Sequence, residues 1–329
     1  MPVPQQRLRQ IVNSGITILF STHNGGRTLP VMMEALEKLQ PPRRRVQIIA
    51  VDNASTDDTA TILARASQRL PLKSLYSPVP GKTPSLRVGA GQVTGDLVLL
   101  TDDDVVPSPG WLVAFEDAAE RYPDSFLFGG PITPVELEPL SPWFLASVRH
   151  HAVLYARSDE PEGDVDAVRY VYGPNLLIRR EHLDVLDEIP TGLGPDFTCA
   201  ITYAMGEDSL LIQKLTERGA RPKYVPDAAV QHLVRAFQTE LRFMVERIER
   251  HGRGWSLQTL AASKYVNLRR ARILLSNTIA VTKACLKAPW SLRDPTRRVF
   301  ESLWDIHWPL GAIKGALSAR RSLPRGPFS

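Results

Sequence analysis

Through the first third of the chain, short apolar runs alternate with stretches of helical periodicity. Residues 16–21 are a β-rich run, followed by a turn at Gly25-Gly26 and a helical stretch to Leu39. Residues 46–51 repeat the pattern, with Asp57 placed to cap a helix reaching Arg69. Leu72–Tyr76 reads as a third strand, residues 83–93 as a helix and residues 96–101 as a fourth strand. Such alternation predicts an α/β fold in which a parallel sheet is wrapped by helices, since strands covered on both faces read as unbroken apolar runs. No Gly-x-Gly-x-x-Gly follows the first strand, which argues against a dinucleotide fold.

After Gly129-Gly130 the rhythm changes. Residues 138–158 read as helical, 159–166 as an acidic loop and 175–178 as a short strand. A helix starting near Gly206 continues through residues 208–218, with apolar Leu210, Leu211, Ile212 and Leu215. From residue 238 onward helices dominate, so the pattern divides the chain into 1–238 and a helical extension, 239–329.

Charge sharpens that division. The net charge of +5 conceals a basic end: residues 241–329 carry 17 Lys and Arg against 5 Asp and Glu, while residues 1–240 are net −7. A basic extension on an acidic body suits an anionic partner, and the absence of a recognition motif points to a membrane surface rather than nucleic acid. The stretch 273–282 is uncharged but too short to span a bilayer. Phe300, Trp304 and Trp308 recur every four residues, with Arg320, Arg321 and Arg325 behind them. Such a face fits an interfacial helix, or equally a helical cap packed on the body. Cys199 and Cys285 are the only cysteines, with no CxxC, and the N-terminus has no apolar leader. A cytoplasmic protein, peripheral at the inner face of the cell membrane, is the expectation.

The candidate chemistry sits where strands end. Asp102-Asp103-Asp104 follows the apolar Leu97-Val98-Leu99-Leu100, so three carboxylates emerge at the carboxyl edge of a buried strand, where open α/β sheets bind ligands. Carboxylates crowded there suit a hard cation, Mg²⁺ or Mn²⁺, with substrate phosphates as further ligands. Ser21-Thr22-His23-Asn24 follows the first strand and Val51-Asp52-Asn53-Ala54-Ser55-Thr56-Asp57 the second. Gly206-Glu207-Asp208 opens the later helix, and His232 follows a β-like run at 228–231.

In this order the motifs resemble the family 2 inverting glycosyltransferases of the GT-A fold, over roughly residues 14 to 235. The resemblance implies a Rossmann-like, mostly parallel sheet in a catalytic domain, 1–238, with a nucleotide-sugar half (14–130) and an acceptor half (131–238). It implies transfer of a sugar from a UDP- or dTDP-sugar to an acceptor hydroxyl on a saccharide or lipid-linked saccharide, in cell-surface polysaccharide or glycolipid synthesis. Asp52 would accept the N3–H of the base, a contact that discriminates well because an unpaired buried acceptor is costly. Thr22, His23 and Asn24 would lie against base or ribose, with Asn53 beside them; a local turn or cap is the other role open to Asn53 and Asp57. The resemblance makes Asp102 the ribose-side carboxylate, Asp103 the intervening residue and Asp104 the metal ligand. Asp102 and His232 are further candidate metal ligands. Asp208 would be the general base with Glu207 in support, although two carboxylates at a helix start also complement the helix dipole. Gly173 would let backbone approach the donor sugar, or equally would serve only a turn.

There are departures. Arg87 stands where the family commonly has Asn and Leu86 where it has Arg, so the diphosphate cation is either Arg87 or Lys82. The QxxRW motif of processive polymerases is missing. A different metal-dependent nucleotide enzyme, and a non-catalytic sugar-nucleotide-binding module, are the competing readings. Val106 in place of the Thr of a DxDxT motif argues against a phosphohydrolase of the haloacid-dehalogenase type.

Overall fold

The computed structural model describes residues 15–195, 203–287 and 295–322. Cys199 and Arg325, and the side chains of Arg320 and Arg321, lie outside the described residues. In chain order the strands and helices are β1 (Gly15–Thr22), α1 (Leu29–Glu37), β2 (Arg45–Asp52), α2 (Thr59–Ala66), β3 (Leu72–Tyr76), α3 (Lys82–Ala90), β4 (Leu97–Thr101), β5 (Val105–Pro107) and α4 (Trp111–Arg121). There follow β6 (Leu127–Gly129), β7 (Ile132–Glu136), α5 (Pro142–Ala146), α6 (His151–Tyr155), β8 (Gly163–Asp164), α7 (Ala167–Tyr170) and β9 (Asn175–Arg179). The last are α8 (Glu207–Glu217), β10 (Lys223–Tyr224), β11 (Val230–Val234), α9 (Leu241–Ala261), α10 (Val266–Lys287) and α11 (Pro295–Ser322).

Two compact units result. The first takes the chain up to Val135, Tyr155–Thr191 and Glu207–Leu233; the second takes Glu136–Leu154, Gly192–Gly206 and Val234 onward. The expected boundary at residue 238 thus falls at Val234, and two internal segments join the helical extension. Hydrogen bonds explain why: the Ser141 hydroxyl donates to the Thr239 carbonyl at 2.5 Å, and the Met205 N–H to the Arg250 carbonyl at 3.2 Å.

The first unit is built on an eight-stranded sheet in the order β3-β2-β1-β4-β9-β6-β10-β8. β3, β2, β1 and β4 run parallel, β9 is antiparallel to both its neighbours, and β8 is antiparallel to β10, giving a mixed, mostly parallel sheet. Alternate residues feed two cores. Ile16, Ile18 and Phe20 pack with Met32 and Leu36 of α1 and with Trp111 and Phe115 of α4. Leu19, Ile49, Val98 and Leu100 pack on the other face with Leu86 of α3 and Leu211, Ile212 and Leu215 of α8. Each such side chain, removed from water, stabilises the fold by about 1.5–3 kcal/mol. This is the helix-wrapped sheet that the apolar runs predict. β5 and β11 lie in a smaller sheet, where His232 is paired with Val105.

One expectation is corrected and one open choice is decided. Residues 138–158 are not one helix: they break into α5, a single turn at Val148–His150, and α6. Ser141 and Pro142 force a fresh start, the Ser141 hydroxyl accepting the Trp143 N–H, and Ala156 at φ 56° ends the run. Of the two roles open to the Phe300, Trp304 and Trp308 stripe of α11, packing is the one seen: the stripe is engaged within the second unit. Phe300 is fully buried, Trp304 stacks on His150 at 3.9 Å, and Trp308 lies 5.2 Å from Trp255. Close approach of α9 and α11 requires Gly252 and Gly311, since a Cβ at either would run into backbone of the facing helix. Among the described residues no helix is long and apolar enough to cross a membrane.

Candidate active site

The carboxyl ends of β1, β2 and β4 come together because these strands are parallel and in register. Thr22 pairs with Asp52 across β1 and β2, and Asn53 N–H donates to the Thr22 carbonyl at 2.8 Å. The loops leaving β1 and β2 are laced to each other. Asn24, at φ 53°, accepts the Thr56 N–H on its side-chain oxygen at 2.8 Å and gives its own N–H to the Ser55 hydroxyl at 2.9 Å. His23 Nδ1 donates to the Asn53 carbonyl at 2.7 Å, leaving Nε2 as acceptor for the Asn24 amide at 3.2 Å.

Asn53 is a latch rather than an open contact. Its amide donates to the carbonyls of Ser77 and Val79 at 3.0 and 2.7 Å and accepts the Gly81 N–H at 2.9 Å, fixing the approach to α3. Asp52 is buried and accepts the Ser55 N–H at 2.9 Å. Asp57 accepts the N–H groups of Gly26 and Thr59 at 2.9 and 3.1 Å, a local turn that ties the loops together, while the N-cap of α2 is Asp58, whose side chain makes no cap hydrogen bond.

That latch delivers Lys82, the first residue of α3, to the acidic cluster. Its ammonium stands 2.6 Å from Asp102 and 3.2 Å from Asp208, joining residues 126 positions apart. Burial opposes its charge, but Asp102, Asp208 and Glu207 outweigh burial and hold Lys82 well above its ordinary pKa. Asp102 is pushed up by burial and by the Asp208 and Asp104 charges, with Lys82 acting against them. Glu207 is buried beside Asp208, and burial followed by that neighbouring charge pushes it up to about 7.

Each remaining member of the triplet has its own partner. Asp103 accepts the Thr22 hydroxyl at 2.5 Å. Asp104 lies 3.3 Å from His232 Nε2, brought there because Leu233 N–H donates to the Asp104 carbonyl at 2.8 Å. His232 Nδ1 donates to the Tyr155 carbonyl at 2.8 Å, which turns Nε2 toward the carboxylate. Burial works against charge on His232, and Asp104 more than offsets it, raising the pKa.

Asp104 and His232 fit a divalent cation in donor type, and the Tyr155 carbonyl orients the imidazole as an outer-sphere hydrogen bond does for a ligating histidine. Asp102 is committed to Lys82. Among the described residues no group of three or more His, Cys, Asp or Glu is arranged around a common point. A cation held here would take its other ligands from diphosphate oxygens and water.

Gly173 lies against Asp208: a Cβ on it would overlap the carboxylate. The Thr101 hydroxyl, donating to the Pro174 carbonyl at 2.7 Å, holds that loop in place. Arg87 is elsewhere. Its guanidinium donates to the carbonyls of Leu186 at 2.8 Å and Ile189 at 2.5 Å, so the cation at the cluster is Lys82. The Tyr155 carbonyl and Thr101 escape sequence reasoning, because a backbone acceptor and an ordinary strand threonine leave no motif.

Residues 17–186 match the family described as Glycosyl transferase family 2. A glucosyl-dolichyl phosphate glucuronosyltransferase of Haloferax volcanii is 26% identical over 160 residues, 48% of this chain and 50% of that protein. The chain therefore spans about half the length of this curated relative. In fold it is similar to the mannosyltransferase PcManGT of Pyrobaculum calidifontis, solved with GDP-Man and Mn²⁺, at TM-score 0.56 and 18% identity, covering 95% of this chain and 88% of that one. It is similar too to S. aureus TarS 1–349 solved with UDP-GlcNAc, at TM-score 0.53 and 17% identity, covering 93% of this chain and 81% of the other. Both neighbours share the sheet-and-helix architecture described above, the GT-A fold. With more than half its length matched, the chain belongs to glycosyl transferase family 2.

Proposed function

We propose that the protein is a metal-dependent inverting transferase that moves a sugar from a UDP- or dTDP-sugar to an acceptor hydroxyl. The observation that carries this reading is the convergence of Asp102 and Asp208 on Lys82, at 2.6 and 3.2 Å. It sets a candidate base beside the groups suited to hold a diphosphate. The GDP-Man and UDP-GlcNAc of the two structural neighbours support a nucleotide-sugar donor, and the second of them a uridine one.

Asp52, buried at the end of β2, is the proposed acceptor for the ring N–H of the base, with Thr22 and His23 beside it. Asp102 serves the ribose side, and Lys82 the diphosphate. Asp104 and His232 would hold Mg²⁺ or Mn²⁺, which when bound supplies charge neutralisation for the departing diphosphate. The acceptor oxygen attacks the anomeric carbon as the bond to diphosphate breaks, and that bonding pair leaves with the nucleoside diphosphate. Asp208 takes the acceptor proton from the face opposite the leaving group, which is the requirement for inversion. Glu207 adjusts the field around Asp208.

The name of the curated relative, which includes a dolichyl phosphate, supports a lipid-linked saccharide as acceptor, in cell-surface glycan or glycolipid synthesis. The protein would then work at the inner membrane face, through its basic extension.

Thermal shift against UDP-, dTDP- and GDP-sugars with Mn²⁺ identifies the donor. Turnover by Asp208→Asn then tests the base: kcat should fall by about 10²–10⁴-fold with donor binding kept. Undiminished turnover would remove Asp208 from the role.

A further inference from the structure

The packing of α10 leaves one face unused, and its chemistry is specific. Leu268, Leu275, Ile279 and Leu286 are 72%, 65%, 45% and 70% exposed. With 3.6 residues per turn, these four fall within an arc of about 40°, along about 27 Å of helix. The residues α10 buries, Ile273, Asn277 and Ala284, lie on the opposite side. Arg269, Arg272, Lys283 and Lys287, all exposed, line one flank of the apolar stripe, while Thr278 and Thr282 lie on the other. The helix contains no Asp or Glu.

We propose that this face of α10 docks on an anionic lipid surface, with the leucine and isoleucine stripe in the acyl boundary and the basic flank among the headgroups. An apolar stripe alone fits several partners; the charge decides between them. Two copies of this face would set like charges against each other, with no carboxylate on the helix to relieve them. An anionic bilayer complements both features and is matched by side chains long enough to reach headgroups while their stems stay apolar. The inference deepens the membrane part of the proposed function and moves it from α11, whose aromatics are packed, to α10.

Vesicle flotation of the full chain tests it. Vesicles of phosphatidylcholine and phosphatidylglycerol in equal parts should carry the protein to the top of the gradient. Phosphatidylcholine alone should bind at least roughly tenfold less, since each basic residue near an anionic surface is worth about fivefold in partition. Leu275→Glu with Ile279→Glu, and separately Arg272→Glu with Lys283→Glu, should each reduce association at least tenfold at an unchanged melting temperature. The proposal is overturned if the wild-type chain ignores phosphatidylglycerol, or if both variants float as it does. It is equally overturned if Leu275→Glu with Ile279→Glu instead dissociates a dimer in solution. Transfer to a soluble acceptor without vesicles reports on the glycosyltransfer reading separately, and these variants should leave it intact.

Discussion

The Lys82 ammonium lies 3.2 Å from the Asp208 carboxylate. Without donor, then, the proposed base is paired with the cation proposed for the diphosphate. A diphosphate arriving beside Lys82 would draw the ammonium and release the carboxylate for the acceptor proton, coupling donor binding to readiness of the base. Lys82→Met should lower kcat/KM by about 10²–10³-fold, with Lys82→Arg recovering part of it. Arg87→Ala, which removes donors from the Leu186 and Ile189 carbonyls, should instead cost about 1–3 kcal/mol of stability and leave kcat within a few-fold. Steady-state kinetics with urea melts separates the two. Equal kinetic damage from both substitutions would return the diphosphate role to Arg87.

Glu207 gives stability a pH signature. Burial and the Asp208 charge raise its carboxyl from 4.5 to about 7, with Asp102 adding to the shift and Lys82 opposing it. Between those values the folded chain binds more protons at this site than the unfolded one. The stabilisation from neutral Glu207 is thus complete below about 4.5 and is lost as pH rises through about 7. Glu207→Gln keeps the neutral form at every pH. Its unfolding free energy relative to wild type should rise by about 2–3 kcal/mol between pH 5 and pH 8. A pH-independent difference would mean that Glu207 does not carry the shifted proton.

Much of this was readable beforehand, and the reasons are local. The strands announce themselves because they are buried on both faces, so Ile18-Leu19-Phe20 and Leu97-Val98-Leu99-Leu100 are apolar without interruption. The acidic motifs are legible because they sit at strand ends and a helix start, where the chain is short and stereotyped. Partner choice was not legible. Asp102, Asp103 and Asp104 are consecutive, yet they turn to Lys82, Thr22 and His232 respectively, and only the loop conformation decides which faces which. Lys82 and Arg87 were rival cations in sequence; the Asn53 latch and the carbonyls of residues 186 and 189 separate them. The aromatic repeat of α11 has the spacing of an interfacial face and of a packed helix alike, and His150 and Trp255, distant in sequence, decide for packing.

Asp104 and His232 yield a metal-linked prediction. If they hold the cation, nucleoside diphosphate and Mn²⁺ bind interdependently. In calorimetric titrations wild-type affinity for the diphosphate should rise at least tenfold with Mn²⁺ over EDTA. His232→Ala and Asp104→Asn should each abolish most of that gain while leaving metal-free binding nearly unchanged. A gain of wild-type size in both variants would place the cation elsewhere.

Gly173 offers the most demanding test of the site, because its two candidate roles, positioning Asp208 and letting backbone approach the donor sugar, predict different outcomes. A Cβ there overlaps the Asp208 carboxylate, and the loop cannot retreat freely, being held by the Thr101 hydroxyl on the Pro174 carbonyl. The mobile party is the carboxylate, which must shift from its place beside Lys82. Gly173→Ala should therefore cost little stability, about 1 kcal/mol or less, since the displaced atoms are the free end of a side chain. Turnover should fall by about 10²-fold, the usual penalty for a reacting group misplaced by an ångström. The double variant with Asp208→Asn decides the cause. If Gly173 acts only by positioning Asp208, then adding Gly173→Ala to Asp208→Asn should lower kcat no further, a coupling as large as the single effect. Multiplicative losses would instead mean that the glycine serves the sugar directly, through backbone approach rather than through the base.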